Sequence, residues 1–238
     1  MSYLDRAANN NRFSIDQLNY PQKKKLMRWT IYVWTAIAIL VFMAPMYWML
    51  NASLLPIERI LTDPAYVPVE FTLKSYESVI LERNYLRWYF NSVVVALGTI
   101  VLTIITATLA GYGLTRVDFR GQKYFANGVL FSYMFPPILL AFPQYQLWSS
   151  LGWLNTYHGI IIAHVARALP FSMWVMWKFF QTVPIELEES IWMNGGTRYH
   201  SLKDVALPMA KPGMIAIAIF AFAVSWNDFT MSSILLPQ

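Results

Sequence analysis

Glu188 and Glu189 stand side by side in a chain with few charges, followed by Ser190, Asn194, Gly195 and, further on, Leu207-Pro208. Acids ahead of a glycine, on a polar stretch between long apolar runs, suit a docking element. Carboxylates make charge-assisted hydrogen bonds to basic side chains of a second protein. A glycine takes the positive φ of a sharp turn without steric cost. Pro184 before the stretch and Pro208 and Pro212 after it set it apart as a unit of about residues 181–211, because proline bounds helices rather than continuing them. The blander alternative is a solvated helix start whose acids complement the positive end of the helix dipole.

A second group is polar where its surroundings are apolar. His164 and Arg167 lie one helical turn apart on one face of an apolar run, and Asn227-Asp228 interrupt another. A cation at membrane depth costs about 2.5–3.5 kcal/mol on insertion scales, so it must face protein or water rather than lipid. These residues are candidates for a translocation path, where Arg167 can hydrogen-bond hydroxyls or an anionic group. The structural alternative is a mutual partnership, with Asp228 as the natural counter-charge for Arg167. For Asn227 and Asp228 the alternative to a path or gating role is hydrogen bonding between helices, worth about 0.6 kcal/mol on average.

The elements that carry these residues follow from composition. The chain is 57% hydrophobic and only 13% charged, against about 25% charged in soluble domains. It reads as an all-α, polytopic membrane helical bundle. A spanning helix needs about 20 mostly apolar residues. Five segments qualify: about Trp29–Leu50, Ser92–Leu114, Phe125–Leu147, Gly159–Phe180 and Gly213–Leu236. Gly98, Gly111 and Gly113 are close-packing points in the second. Pro136-Pro137 predict a kink or break in the third, and Pro170 lies inside the fourth.

Basic residues fix the orientation. Arg6, Arg12, Lys23, Lys24, Lys25 and Arg28 precede the first segment; Arg116, Arg120 and Lys123 follow the second; Lys178 stands at the end of the fourth, and Arg198, Lys203 and Lys211 follow it. Lys and Arg accumulate on the cytoplasmic side, which places residues 1–28 in a cytoplasmic tail and the Glu189 loop inside. The first apolar run is too long for a signal-peptide core and lacks a small-x-small cleavage site, so it reads as an uncleaved span. The net charge of +5 is explained by these loops, and a nucleic-acid partner is not expected.

The loop's spacing resembles the "EAA" loop of ABC-transporter permeases, with Glu189, Gly195 and Leu207-Pro208 in register and Ser190, Ile191 and Val205 as substitutions. Other stretches are similar to the carbohydrate-uptake branch, the maltose-system permease family. These are Asn91-Ser92, Ala110-Gly111-Tyr112 with Arg116 and Phe119-Arg120-Gly121, Leu154-Asn155-Thr156 with Gly159, Leu169-Pro170-Phe171 with Trp174, and Trp226-Asn227-Asp228-Phe229. The resemblance implies a permease domain over 29–238 with a coupling-helix loop, in an ATP-driven importer of a sugar or related polyol. It implies a second, homologous permease chain, two cytoplasmic ATPase subunits and an extracytoplasmic solute-binding protein. It also implies a sixth span, so the sequence is expected to be truncated at its C-terminus.

Two rivals are weighed against this reading. A secondary transporter or channel also accounts for apolar helices holding Arg167 and Asp228, but leaves the loop spacing unexplained. A membrane-embedded enzyme needs convergent nucleophile and base, and none is evident. No Gly-x-x-x-x-Gly-Lys-(Ser/Thr) occurs in the sequence, so no cofactor is expected in this chain, and ATP and magnesium fall to the partner ATPases. His158, His164 and His200 form no metal-ligand spacing, and there is no cysteine.

Overall fold

The computed structural model describes residues 19–62, 70–82 and 84–236. Most of the expected cytoplasmic tail, including Arg6 and Arg12, lies outside the described residues. Among those described, every regular element is a helix and there are no strands. The chain divides into two units, residues 1–85 and 86–238.

In the first unit, α1 (Tyr20–Ser53) begins where the Asn19 N–H donates to Gln22 Oε1, 3.1 Å away, with Pro21 in the first turn. Proline fits there because the first-turn N–H groups have no partner within the helix. The helix runs through Pro45, and its most apolar stretch is exposed. Two short helices follow, α2 (Ile57–Thr62) and α3 (Lys74–Glu77), the latter extended by a π-helical turn over Ser78–Glu82. The Thr72 N–H bonds to the Leu54 carbonyl at 2.9 Å, and Ser53 Oγ meets the Tyr76 hydroxyl at 2.7 Å. These bonds fold the segment back on the end of α1.

The second unit contains α4 (Tyr85–Arg116), α5 (Gln122–Ser132), α6 (Pro137–Leu151), α7 (Tyr157–Gln181), α8 (Ile185–Met193), α9 (Arg198–Ser201), α10 (Leu207–Met209), α11 (Lys211–Trp226) and α12 (Thr230–Leu235), with a π-helical turn over Leu202–Ala206 joining α9 to α10. Helix α7 is the centre of the packing. Its Met176 and Phe180 pack with Ala107 of α4, Ala206 and Ile217; its Met173 and Trp177 with Leu114 of α4 and Ala126 of α5; its Ile160 and Ala163 with Ala141 and Trp148 of α6 and with Met231 and Leu235 of α12. Helix α4 comes close because it turns small residues toward α7. A Cβ on Gly111 would lie 2.7 Å from Met176 Cβ and 2.8 Å from the Trp177 amide nitrogen, and one on Gly98 would lie 2.7 Å from Ile161 Cδ1. Gly113, expected to pack as well, faces open space within this chain.

By length and composition, α1, α4 and α7 can each cross a membrane, and the count rises to five if each bent helix pair is one span. The third apolar segment breaks at the double proline, and its halves α5 and α6 meet at 92°. The fifth departs from expectation. It is not one helix over Gly213–Leu236: α11 ends at Trp226, and α12 starts anew at Thr230. Polar side chains of Asn227 and Asp228 compete for the backbone there. Asn227 Nδ2 donates back to the Ala223 carbonyl at 2.9 Å, and Asp228 Oδ2 accepts from the Ser232 N–H at 2.9 Å. Such local bonds end one helix and start the next. Before α11, the stretch Arg198–Met209 lies at 72° to it.

Candidate functional site

The polar loop is a helical hairpin. Helix α8 leaves α7 through Val183-Pro184 and ends at Asn194, whose side-chain amide donates to the Ser190 carbonyl at 2.8 Å. Gly195 has φ +81°, in the left-handed region, so the chain reverses there at no Cβ cost. Gly196 then passes against Ile191, and its N–H donates to the Ile191 carbonyl at 2.9 Å. The returning arm is held by Trp192 Nε1, which donates to Ser201 Oγ, and by Thr197 Oγ1 with His200 Nδ1 at 2.9 Å.

The adjacent acids of α8 have opposite fates, because consecutive helical residues point about 100° apart. Glu189 is exposed, with Glu186, Leu187, Ser190 and Met193 also on the outer surface. Glu188 is completely buried. Its Oε1 accepts from Arg116 Nε at 2.8 Å and lies 2.6 Å from an Arg116 terminal nitrogen; its Oε2 accepts from the Tyr112 hydroxyl at 2.7 Å. The same guanidinium donates to the Val183 carbonyl at 3.0 Å. Tyr112 is fixed in turn by an edge-to-face contact with Phe180, ring centroids 5.5 Å apart. Glu188, expected to face a partner protein along with Glu189, is instead turned inward and satisfied within the chain. Leu207 and Pro208 close the hairpin, with Leu207 half-buried and Pro208 exposed.

The second group converges at the break between α11 and α12. Arg167 donates to Asp228 Oδ1 at 3.0 Å, His164 Nε2 lies 3.3 Å from Asp228 Oδ2, and His164 Nδ1 is 3.1 Å from Ser225 Oγ. Asp228 Oδ2 also accepts from the Ser232 hydroxyl at 3.1 Å. The Asp228 and His164 side chains are each 1% exposed, whereas that of Arg167 is 36% exposed. The exposed part of Arg167 lines a cavity of about 620 Å³, walled by the α5–α6 break, α6 and α7, where Tyr133, Gln144 and Trp148 also reach its surface. Asn227 does not join this group; its amide is spent on the Ala223 carbonyl.

Comparison with known proteins bears on this architecture. Residues 100–238 match the family model described as "Binding-protein-dependent transport system inner membrane component". The chain belongs to this family. It is an ABC-transporter inner-membrane permease related to sugar-uptake permeases, and as such a multi-pass membrane protein. The diacetylchitobiose uptake system permease protein NgcG of Streptomyces coelicolor is 32% identical over 199 residues, covering 84% of this chain and 65% of that protein. The inner membrane ABC transporter permease protein YcjP of Escherichia coli is 29% identical over 219 residues, covering 91% and 78%. The trehalose/maltose transport system permease protein MalG of Thermococcus litoralis is 27% identical over 210 residues, covering 87% and 75%. The chain thus spans about two thirds to three quarters of the length of these relatives.

Within the permease, the structure brings His164, Arg167 and Asp228 together and leaves Asn227 apart. It gathers Ser190, Asn194 and Gly195 into one hairpin turn while dividing Glu188 from Glu189. Tyr112, Arg116 and Ser225 complete the two groups. Tyr112 and Arg116 carry a readable signal, a phenol and a guanidinium four residues apart at the basic end of an apolar helix, with acids in a nearby loop. Ser225 carries only the weaker signal of lying one turn before Asp228.

Proposed function

We propose that this permease is one half of the membrane pore of an ATP-driven importer that carries a sugar or related polyol. The α8–α10 hairpin is its contact with the ATPase. Glu189, Leu187 and Met193 form the contact surface, an acid set among exposed apolar side chains that otherwise have no reason to face water. The single observation that carries this reading is the hairpin: a short helix, a positive-φ glycine and a returning helix, anchored on its inner face by Glu188 and bare on its outer face, within a chain of this family.

In this reading five spans cross the membrane: α1, α4, the bent α5–α6 pair, α7 and α11. Helix α11, with 16 residues, covers about 24 Å at about 1.5 Å per residue, and α12 continues after the polar break. The basic stretches put residues 1–28 and the hairpin in the cytoplasm. The partners are a second, homologous permease chain, two cytoplasmic ATPase subunits that bind ATP and magnesium, and an extracytoplasmic binding protein that delivers the solute. ATP-driven closure of the ATPases moves the paired hairpins together and rocks the permease from inward-open to outward-open. The Arg167 cavity is then part of the solute path. Its charge is balanced by Asp228, and its aromatic walls with Gln144 suit an uncharged, hydroxyl-rich solute. The names of NgcG and MalG, which concern diacetylchitobiose and trehalose or maltose, support the sugar class.

The test is reconstitution. The tagged permease is coexpressed with the permease, ATPase and binding-protein genes that neighbour it, purified, and placed in liposomes. ATPase chains are expected to copurify, and uptake from a panel of labelled sugars and polyols is expected to need ATP and the binding protein. Uptake driven by an ion gradient without ATPase subunits would establish the secondary-transporter reading instead.

A further inference from the structure

We infer that Glu188, Arg116 and Tyr112 form a strut that carries displacement of α8 directly into α4, making Arg116 and Tyr112 positioning residues for coupling. The inference rests on the proposed role of the hairpin but concerns the inner side of α8, not the surface offered to the ATPase. Both oxygens of Glu188 are held by donors from α4: Arg116 Nε at 2.8 Å on Oε1 and the Tyr112 hydroxyl at 2.7 Å on Oε2. The donors lie four residues apart on one face of α4, so they grip the carboxylate from a single rigid element. The bond from Arg116 to the Val183 carbonyl, 3.0 Å, adds the exit of α7 to the same guanidinium. One side chain therefore ties together the end of α4, the end of α7 and the start of α8.

The chemistry suits transmission better than stability. A buried ion pair is often no more stabilising than well-packed apolar residues of similar volume, so stability alone gives little reason to place one here. What it provides is direction. Apolar contacts are non-directional, so they resist separation but tolerate sliding. A carboxylate held on both oxygens by charge-assisted bonds resists sliding as well. Complete burial of Glu188 also leaves the pair much less screened by salt than a surface pair. A force on Glu189 and Leu187, on the outer surface of α8, thus passes through Glu188 to the helix whose Gly111 lies against Met176 of α7.

The experiment uses the reconstituted complex and separates assembly from coupling. Three variants are compared with wild type: Tyr112→Phe, which keeps the ring contact and removes one hydrogen bond; Glu188→Gln, which keeps shape and removes charge; and the double variant Glu188→Met with Arg116→Met, which replaces the pair by apolar bulk. Complex yield, ATP hydrolysis and solute moved per ATP are measured together. The expected result is near-normal yield for Tyr112→Phe and for the double variant. Solute moved per ATP should fall about threefold in Tyr112→Phe, the equivalent of one modest hydrogen bond, and about tenfold or more in Glu188→Gln and the double variant, which lose charge-assisted bonds. Normal transport per ATP in an assembled double variant, or transport losses that merely track lost assembly in all variants, would overturn the strut. If ATPase subunits do not copurify even with wild type, the role of the hairpin fails instead. The strut is then judged in membranes holding the permease alone, where Glu188→Gln should speed proteolytic cleavage between residues 194 and 200, and an unchanged cleavage rate refutes it.

Discussion

Removing either partner of the Arg167–Asp228 pair should have unequal consequences, because the two charges are not equally buried. At 3.0 Å and an effective dielectric constant of about 20, the gross attraction is about 5–6 kcal/mol. Arg167→Ala strands the carboxylate of Asp228, which is 1% exposed and keeps only the Ser232 donors and His164. Stranding a buried charge costs about 3–5 kcal/mol, and the Ser232 bonds hold the loss near the lower end, about 3 kcal/mol. Asp228→Asn strands a guanidinium whose side chain is 36% exposed and faces the cavity, where water can solvate it. The amide can still accept from Ser232, so the loss is about 1–2 kcal/mol. The double variant Arg167→Ala with Asp228→Asn leaves neither charge unpaired and should be less damaged than Arg167→Ala alone. For a protein of this size about 1 kcal/mol corresponds to about 2–4 °C in Tm. Thermal unfolding of the purified permease should therefore show Arg167→Ala lower by about 6–12 °C and Asp228→Asn by about 2–8 °C, with the double variant losing less than the two single losses added together. A larger loss in Asp228→Asn than in Arg167→Ala would refute the reasoning, since it would mean that the half-exposed guanidinium, not the buried carboxylate, depends on the pair.

Other outcomes follow from the same geometry. Arg167→Lys keeps the charge but loses the planar fork, so assembly should survive while uptake affinity shifts if the free guanidinium edge contacts solute; unchanged affinity removes Arg167 from the path. Glu189→Ala should leave complex yield near normal and abolish ATP-driven uptake, and unchanged uptake would refute the docking role of α8. Gly195→Val forces a β-branched residue to φ +81°, a left-handed conformation that costs about 1–2 kcal/mol even for ordinary residues, and should uncouple transport without removing the protein from the membrane. Gly111→Val places carbon against the backbone of α7 at 2.8 Å; overpacking costs about 1–3 kcal/mol, to be seen as lost yield or lowered Tm. The chain has no native cysteine, so single cysteines report topology: one at Arg120 or Arg198 should be shielded from impermeant reagents in intact cells and one at Asn155 should react, the reverse pattern overturning the orientation.

The sequence made the helical class legible, because apolar runs of spanning length and a scarcity of charge admit little else. It made the break at Pro136-Pro137 legible, because proline removes a helix donor wherever it sits. The turn at Gly195 was readable for a similar reason: positive φ is cheap only for glycine. The break at Asn227-Asp228 is not legible in the apolar pattern, which predicts one helix over the fifth segment where the structure has two. Hydropathy averages over such a pair, whereas the outcome depends on where the side chains bond: Asn227 turns back to the Ala223 carbonyl and Asp228 takes the Ser232 N–H, while Arg167, distant in sequence, holds the other Asp228 oxygen at 3.0 Å. The facing of Glu188 is likewise set by partners distant in sequence. A helix pattern says that neighbours 188 and 189 point apart, but which of them points inward depends on where Tyr112 and Arg116 stand in three dimensions.

That dependence also gives the hairpin its mechanical logic. Two adjacent glutamates are wasteful if both serve one surface, since like charges side by side repel. They are economical if α8 must be held from both sides. The inner acid meets a guanidinium and a phenol in a site where an unpaired carboxylate could not remain charged, so its partners are fixed by the fold. The outer acid is exposed, and in the proposed coupling role it stays hydrated until a basic surface replaces its water, so its partner can come and go through each cycle. An element that must grip permanently on one face and reversibly on the other needs this difference in burial between Glu188, completely buried, and Glu189, exposed. Exchanging Glu188 for glutamine and Glu189 for alanine should therefore give distinct failures: loss of transport per ATP with the ATPase still bound in the first, and loss of the productive ATPase contact in the second. Identical behaviour of the two variants would mean that α8 is gripped from one side only.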